Sequence, residues 1–131
     1  MSLAEIQHTC QSCTACKLAA TRQNVVFGEG DPNARLMLIG EGPGAEEDRT
    51  GRPFVGQAGQ LLDQILATVG LSRDIVYIAN MVKCRPPGNR NPEPDEIAQC
   101  EHWLLEQLKI VRPQLLVTLG NVPTQWALET K

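Results

Sequence analysis

Hydrophobic positions along this chain fall into two kinds of segment, short apolar runs and longer stretches with helical spacing. The short runs have the nearly continuous hydrophobicity that is typical of strands buried on both faces of a parallel sheet. They lie at residues 36–39, 75–79 and 115–119. Two other stretches carry apolar side chains that recur every three or four positions, which predicts amphipathic helices. These stretches are residues 59–69, ended by Gly70, and residues 94–111, which stop before Pro113.

The order of these segments is strand, helix, strand, helix, strand, and it predicts a doubly wound α/β domain. Because right-handed crossovers bring the loops after parallel strands to one edge of the sheet, a ligand should bind at that edge. The loops are residues 40–48, 80–94 and 120–123. The chain ends inside another predicted helix, residues 124–129, before any fourth strand. We therefore expect a single domain over residues 1–131 that is incomplete at its C-terminus.

The overall composition limits the kinds of protein that this chain can be. A length of 131 residues suits one hydrophobic core, and a net charge of −3 gives no indication of nucleic-acid binding. No apolar run approaches the roughly 18 residues of a membrane helix, and the N-terminus lacks a hydrophobic signal core. We therefore expect a soluble, cytoplasmic protein without a membrane partner. Any contact with nucleic acid must come from a local basic patch.

Five cysteines, in a chain without a secretory signal, favour a metal site over disulfides. Cys13 and Cys16 form a C-x-x-C pair, while Cys84 and Cys100 form a wider pair. Four thiolates suit a cubane iron–sulfur cluster, and tetrahedral zinc accepts the same ligands. A second interpretation makes Cys100 a small apolar residue on the buried face of its helix. Cys10 is interpreted as a free thiol near the terminus rather than as a spare ligand.

The segment after the first predicted strand, GEGPG at residues 40–44, is rich in glycine, which lets backbone amides approach a ligand. Carboxylates crowd the same loop, so a neutral polar ligand or an activated water fits it better than a phosphate does. The acidic residues are Glu41, Glu46, Glu47 and Asp48. Further along, Phe54 lies on a loop between Pro53 and Gly56. Its ring either stacks on a base or fills the core beneath the loop, and the residues leave both interpretations open.

Two long segments resemble the motifs of the family-four, iron–sulfur uracil-DNA glycosylases. GEGPGAEEDRTGRPFVGQAGQLLD, residues 40–63, is similar to the first motif of that family, and NMVKCRPPGNRNP, residues 80–92, is similar to the second. The C-x-x-C pair followed by Leu18 and Arg22 resembles the family's cluster-binding segment. The resemblance extends over essentially the whole chain. It implies a three-layer α/β/α fold with a parallel sheet whose last strand is missing here.

The resemblance implies a function, the hydrolysis of the N-glycosidic bond of uracil in DNA after the base has been flipped out of the helix. It implies that Glu41 is the catalytic acidic residue, with Asn89 as a helper. It also implies that Phe54 stacks on the uracil and that Asn80 reads the pyrimidine edge. The other pocket residues that it implies are Gly42, Pro43 and Glu47.

A cofactor and a partner are also implied by the resemblance. Four cysteines would hold a 4Fe-4S cluster, and Cys10 would not be among them. The ligands would be Cys13, Cys16, Cys84 and Cys100. The partner would be uracil-containing DNA, single- or double-stranded, bound by a monomer. Basic residues of the two loops would supply the local positive charge that the net charge lacks, and these are Lys83, Arg85, Arg90, Arg49 and Arg52.

One feature of the family has no counterpart in this chain. The family's third motif is a His-Pro-Ser segment after a fourth strand, whereas the only histidines here are His8 and His102. Because the motif's histidine is expected to bind a uracil oxygen, we expect the chain as given to be impaired in turnover. The basic, histidine-containing insertion of glycosylases that link covalently to DNA is absent from residues 83–91. Two competing classes are a non-catalytic, metal-stapled nucleic-acid-binding module and a redox iron–sulfur protein.

Overall fold

The computed structural model describes residues 2–14 and 17–129, which fold around a four-stranded mixed sheet. The strands are β1 (Glu29–Gly30), β2 (Leu36–Gly40), β3 (Tyr77–Asn80) and β4 (Leu115–Thr118). Their order is β1-β3-β2-β4, with β2 parallel to both β3 and β4 and β1 antiparallel to β3. The predicted α/β fold is confirmed, and the sheet is mixed because β1 joins the parallel strands in the antiparallel direction. That strand contains only Glu29 and Gly30, so it leaves no apolar run in the sequence.

Five α-helices accompany the sheet within the described residues. They are α1 (Leu3–Cys10), α2 (Ala45–Thr50), α3 (Gln57–Thr68), α4 (Pro94–Val111) and α5 (Asn121–Glu129). The two predicted amphipathic helices are confirmed as α3 and α4, and α4 has the predicted bounds. Apolar spacing does not predict α1, which begins with a capping box formed by Ser2 and Glu5. No helix in the described ranges is long and apolar enough to cross a membrane.

Helices α3 and α4 cover opposite faces of the sheet. Successive side chains of a strand point to opposite faces, so β2 contributes to two separate core clusters. The cluster under α3 includes Leu38, Leu62, Leu66, Val76 and Ile78. The cluster under α4 includes Met37, Ile39, Tyr77, Ala79, Leu104 and Val111. The result is the three-layer arrangement, with the strand ends free to carry the loops of the site.

The edge strand β4 departs from the predicted burial on both faces. Leu115 is 67% exposed, and Leu116 and Val117 are exposed as well, whereas β3 is buried throughout. Strand β4 pairs with β2 on one side, and no other strand in the described part of the chain pairs with its second side. The apolar run therefore predicts the strand but not its exposure, because exposure depends on neighbours that the run does not encode.

Gly59, in the first turn of α3, is required by the close approach of this helix to the preceding loop. A Cβ atom on Gly59 would lie 1.9 Å from the carbonyl oxygen of Phe54 and 2.1 Å from its carbonyl carbon. No side chain fits at such distances. The first turn of α3 therefore contacts the backbone of the Phe54 loop, which is the segment 51–56 between α2 and α3.

We expect Gly59→Ala to destabilise the fold by about 1–3 kcal/mol, although alanine favours a helix by about 1 kcal/mol over glycine. The added methyl group must push α3 away from the Phe54 loop. Urea unfolding followed by circular dichroism measures the change. Gln60→Ala is the matched control, because Gln60 is the exposed next residue of the same helix. Equal stability of the two variants would contradict the close contact.

Candidate active site

The carboxyl ends of β2 and β3 bring two loops together. Gly40, the last residue of β2, is the register partner of Asn80, the last residue of β3. Beyond the strands the segments stay joined, since Met81 N–H donates to the Gly40 carbonyl (2.8 Å) and Val82 N–H donates to the Glu41 carbonyl (3.2 Å). Both predicted loops thus meet at one edge of the sheet. Asn80 itself belongs to β3 rather than to the loop predicted for residues 80–94.

The ring of Phe54 lies against this meeting point. A Cβ atom on Gly40 would lie 2.5 Å from Cζ of Phe54 and 2.5 Å from Oδ1 of Asn80. The ring and the amide therefore approach each other over a residue that has no side chain. Phe54 is half-buried and also contacts the core cluster under α3. Packing on the core is thus part of its role, and its ring also borders the space beside Asn80.

Asn80 carries an unsatisfied polar atom. The residue is 2% exposed, and its Oδ1 is the single buried side-chain oxygen or nitrogen without a hydrogen-bond partner among the described residues. A buried acceptor left unpaired costs about 1–3 kcal/mol, so native proteins usually satisfy such atoms. An unpaired acceptor beside an aromatic ring is suited to a planar ligand that brings an N–H donor.

Glu41 follows β2 and borders a recess lined also by Gly42, Pro43, Pro86 and Arg90. Its carboxylate lies beside the turn after β4, where a Cβ atom on Gly120 would be 2.8 Å from Oε1 of Glu41. Within the described part of the chain, no hydrogen bond or ion pair engages this carboxylate. Asn89 lies in the turn Pro87–Asn89 of the facing loop, but its side chain is outside the described structure, and its role stays a prediction.

Glu47 braces the backbone on both sides of the site. Its Oε1 accepts the N–H of Gly44 (3.0 Å), and its Oε2 accepts the N–H groups of Val55 (2.9 Å) and Gly56 (2.8 Å). Burial by itself would raise the pKa of Glu47, but the hydrogen bonds from these backbone N–H groups outweigh it and hold the pKa below its ordinary value. Both carboxylate oxygens are engaged, so Glu47 acts on the loop backbone.

The predicted basic patch is largely neutralised within the protein. Three of its arginines already have carboxylate partners, in the pairs Arg49–Glu46 (2.6 Å), Arg52–Glu29 (2.8 Å) and Arg90–Glu96 (2.7 Å). The prediction that Lys83 supplies surface charge is wrong, because Lys83 is 1% exposed. The apolar residues before it, Met81 and Val82, are fully buried and carry the chain into the core.

The side chain of Lys83 is held inside the protein by polar partners. Its Nζ donates to the Asn80 carbonyl (3.0 Å) and to Oε1 of Gln107, and it lies 5.7 Å from the centre of the Phe27 ring. Burial lowers the pKa of Lys83 to about 8, with the neighbouring thiols of Cys100 and Cys10 acting in the opposite direction. The backbone of Asn80 is therefore fixed by a buried cation that the sequence pattern does not reveal.

Three of the predicted ligand cysteines border one small cavity, whereas Cys16 lies outside the described residues. The cavity is lined by Cys13, Cys84 and Cys100 together with Cys10, Lys83 and Trp103. Each of the first three sulfurs accepts an N–H: from Trp103 to Cys13 (3.4 Å), from Arg22 to Cys84 (3.2 Å) and from the Lys83 backbone to Cys100 (3.2 Å). Such donors suit negatively charged thiolates. Among the described residues, no three His, Cys, Asp or Glu side chains are close enough together to bind one metal ion.

Cys10 lies beside the predicted ligand cysteines and is buried. It ends α1 and is fully buried in the core, where burial raises the pKa of its thiol to about 12 while the charge of Lys83 acts in the opposite direction. No disulfide joins Cys10 to Cys13, Cys84 or Cys100, the other described cysteines. Cys10 is a core residue on the wall of the cysteine cavity, and its interpretation as a free thiol rather than a ligand stays a prediction.

Comparison with known proteins identifies the family of this chain. Residues 27–131 match the family model of the uracil DNA glycosylase superfamily. The chain is 51% identical to the type-4 uracil-DNA glycosylase of Thermotoga maritima over 92% of the chain and 63% of that protein. It is 51% identical to the type-4 enzyme of Sulfurisphaera tokodaii over 95% of the chain, and 46% identical to that of Archaeoglobus fulgidus over 95%. The chain spans 57–63% of the length of these relatives.

We expect the Phe54 loop to lose stability as the pH falls. Because folding lowers the pKa of Glu47, its stabilising effect is complete above the ordinary value of 4.5 and is lost as the pH falls through the lower folded value. Glu47→Gln should remove this part of the pH dependence and weaken the loop at neutral pH. Thermal unfolding of both proteins between about pH 7 and about pH 3 measures this pH dependence of stability. Glu46→Gln, at an exposed neighbour, is the control, and an unchanged profile in Glu47→Gln would refute the expectation.

Proposed function

Because the chain belongs to the uracil-DNA glycosylase superfamily, we propose that its protein excises uracil from DNA by hydrolysing the N-glycosidic bond. The observation that carries the proposal is the unpaired Oδ1 of Asn80, buried beside the ring of Phe54. Uracil is a planar base with an N–H donor between two carbonyl oxygens, so it complements both groups. The substrate would be uracil-containing DNA, single- or double-stranded.

Base recognition would use Asn80 and Phe54 together. The carboxamide of Asn80 offers an acceptor to the uracil N–H and a donor to an adjacent carbonyl oxygen, which cytosine cannot match in the same orientation. The ring of Phe54 would stack on the flipped base, a contact worth about 1–3 kcal/mol for aromatic side chains that bind single bases. Gly42 and Pro43 would form the wall on the side of Glu41. Glu47 would shape the pocket indirectly, through the backbone N–H groups that it binds.

Catalysis would depend on charge that develops as the base leaves. Departure of uracil places positive charge on the sugar and negative charge on the base, so a carboxylate near the sugar and donors near the base oxygen increase the rate. Glu41 fits the first role, since its carboxylate has no partner in the described chain and borders an open recess. It would orient or deprotonate the attacking water. Asn89, on the loop after β3, would assist in catalysis, as the resemblance implies.

The cysteine cavity is the proposed site of a 4Fe-4S cluster held by Cys13, Cys16, Cys84 and Cys100. The donor set supports this assignment, because each of the three described sulfurs already accepts an N–H group, as cluster thiolates do. A bound cluster would supply structure rather than redox chemistry, tying the N-terminal segment to the loop after β3 and to α4. The chain's own donors, Arg22, Trp103 and the Lys83 backbone, orient the sulfurs.

Asn80→Ala provides the test of the proposal. We expect uracil release to fall at least about 100-fold, since the base loses its specific partner, while the free energy of unfolding stays equal or rises by about 1 kcal/mol. Stability should not fall, because the substitution removes an acceptor that has no partner. Release from a uracil-containing single-stranded oligonucleotide, measured for the 131-residue chain and for a lengthened form, gives the first quantity, and urea unfolding gives the second.

Gln107→Leu is the matched control for Asn80→Ala. Gln107 is also a fully buried amide, but it is bonded to Lys83, the Phe27 carbonyl and Tyr77. We expect Gln107→Leu to lower the free energy of unfolding by about 2–4 kcal/mol, because the partners of Gln107 are left unpaired.

Unchanged uracil release by Asn80→Ala would contradict the proposed function. DNA binding without release by any unmodified form would favour a non-catalytic binding module instead.

Loss of the cluster is expected from Cys84→Ala but not from Cys10→Ala. Both cysteines are buried on the wall of the same cavity, so the pair is matched for packing. Cys84→Ala removes a proposed ligand, whereas Cys10→Ala removes a neutral thiol. Iron and acid-labile sulfide per chain, measured after anaerobic purification, should fall to near zero only in Cys84→Ala. Equal metal content in the two variants would exclude Cys84 as a ligand.

A further inference from the structure

Arg73 lies in the loop before β3, far along the chain from Phe54, yet its guanidinium reaches the Phe54 loop. One nitrogen donates to the Phe54 carbonyl (2.8 Å), and the other terminal nitrogen donates to the Pro53 carbonyl. The side chain is 16% exposed. Two successive backbone carbonyls are thus held by one planar cation, whose N–H donors form a fixed fork that the single nitrogen of a lysine lacks.

Two carboxylates keep the guanidinium of Arg73 in place. Glu29 accepts from its Nε (3.3 Å) and from a terminal nitrogen (3.2 Å), and Asp63 of α3 accepts from the other terminal nitrogen (3.2 Å). Glu29 is itself held by Arg52 through two bonds of 2.8 Å. The orientation of Arg73 is therefore determined by β1, which pairs with β3 of the sheet, and by α3, which packs on the sheet.

The backbone at Phe54 needs such support. Its φ angle is +52°, in the left-handed region that residues with a side chain rarely adopt. Within the described residues, the other non-glycine with positive φ is Arg112, which caps the end of α4. Strained conformations of this kind persist when the surroundings over-determine them, and they concentrate at functional sites.

The supports on the two sides of Phe54 are complementary. Arg73 binds the carbonyls of Pro53 and Phe54, and Glu47 binds the N–H groups of Val55 and Gly56, so four consecutive residues each have a backbone group bonded to a charged side chain. Helix α3 also restricts the loop sterically, because its backbone at Gly59 contacts the Phe54 carbonyl. Glu47, in α2, belongs to the first motif segment, residues 40–63, whereas Arg73 lies outside both motif segments.

We propose that Arg73 is a positioning residue that holds Phe54 in its strained backbone conformation and thereby presents the ring beside Asn80. The inference rests on the proposed function for its catalytic consequence, because the ring matters to turnover if it stacks on a flipped base. Arg73 acts through Phe54 and touches no proposed substrate atom.

A double-mutant cycle of Arg73→Met with Phe54→Ala tests the proposal in the protein with its cofactor as purified. Methionine retains the aliphatic stem but none of the N–H donors. We expect Arg73→Met to lower uracil release about 10- to 100-fold, the scale on which small misplacements act, and to lower it less than about twofold when Phe54 is already alanine. Equal losses in the two backgrounds would overturn the proposal, since Arg73 would then act independently of the ring.

Amide hydrogen exchange gives a readout that does not depend on activity. The N–H groups of Val55 and Gly56 should exchange at least about tenfold faster in Arg73→Met, while those of β3 keep their protection. Unchanged exchange at both positions would overturn the proposal. Absence of uracil release from every form of the unmodified protein would overturn the proposed function instead, and the exchange rates would still decide whether Arg73 holds the loop.

Two further variants separate the loop contacts from charge and folding. Asp63→Asn removes an outer ion pair of Arg73 and leaves both carbonyl contacts, so we expect release and exchange within about twofold of the unmodified protein. Arg73→Lys keeps the charge beside Glu29, but one ammonium nitrogen cannot replace the three guanidinium nitrogens that bind both carbonyls and both carboxylates. We expect an intermediate loss of release and protection in Arg73→Lys, which also serves as the test if Arg73→Met does not fold. Full activity and full protection in Arg73→Lys would show that the guanidinium fork is not needed, contrary to the proposal.

Discussion

The parallel pairing of β2 with β3 is the constraint on which the rest of the site depends. This register places Gly40 opposite Asn80 at the ends of the strands, and hydrogen bonds from Met81 and Val82 continue the pairing into the loops. Because a shift of one residue would turn every side chain to the other face, the register also decides that Asn80 lies on the side of the Phe54 ring. The absence of a side chain at Gly40 then allows the ring and the amide to approach each other.

Buried polar groups in the described chain divide into structural ones and one exception. Asp48 accepts the N–H of Gln23, Glu96 accepts two bonds from Arg90, and Gln107 is bonded on both sides of its amide. These groups stabilise turns, a helix start and the packing of α4 on the sheet. Among the buried side-chain oxygens and nitrogens that the structure describes, the Oδ1 of Asn80 alone lacks a partner. Because buried polar atoms are usually satisfied, this acceptor beside an aromatic ring is the one that calls for a ligand in the proposed function.

The loop of Phe54 illustrates how a strained conformation is maintained. Charged side chains from three parts of the fold converge on it, namely Glu47 from α2, Arg73 from the loop before β3, and Glu29 of β1, which orients Arg73. The short antiparallel strand β1 therefore has a role beyond the sheet. Lys83 lines the cysteine cavity and also binds the Asn80 carbonyl, so the two proposed sites share a residue.

Local pattern determined the elements that have a strong periodic signal. The bounds of α4 and the existence of β2, β3, β4 and α3 follow from apolar spacing, because burial on one or two faces imposes that spacing on any chain that forms them. The candidate roles of Glu41, Phe54 and Asn80 follow from the resemblance of residues 40–63 and 80–92 to the motifs of a known family. Tertiary structure alone decided that Lys83 is buried, that β4 is exposed, that β1 joins the sheet antiparallel, and that Arg73 reaches Phe54. Burial and ion pairing depend on contacts between residues that are far apart in the sequence. A short segment of the chain does not contain both residues of such a contact, so its pattern does not predict it.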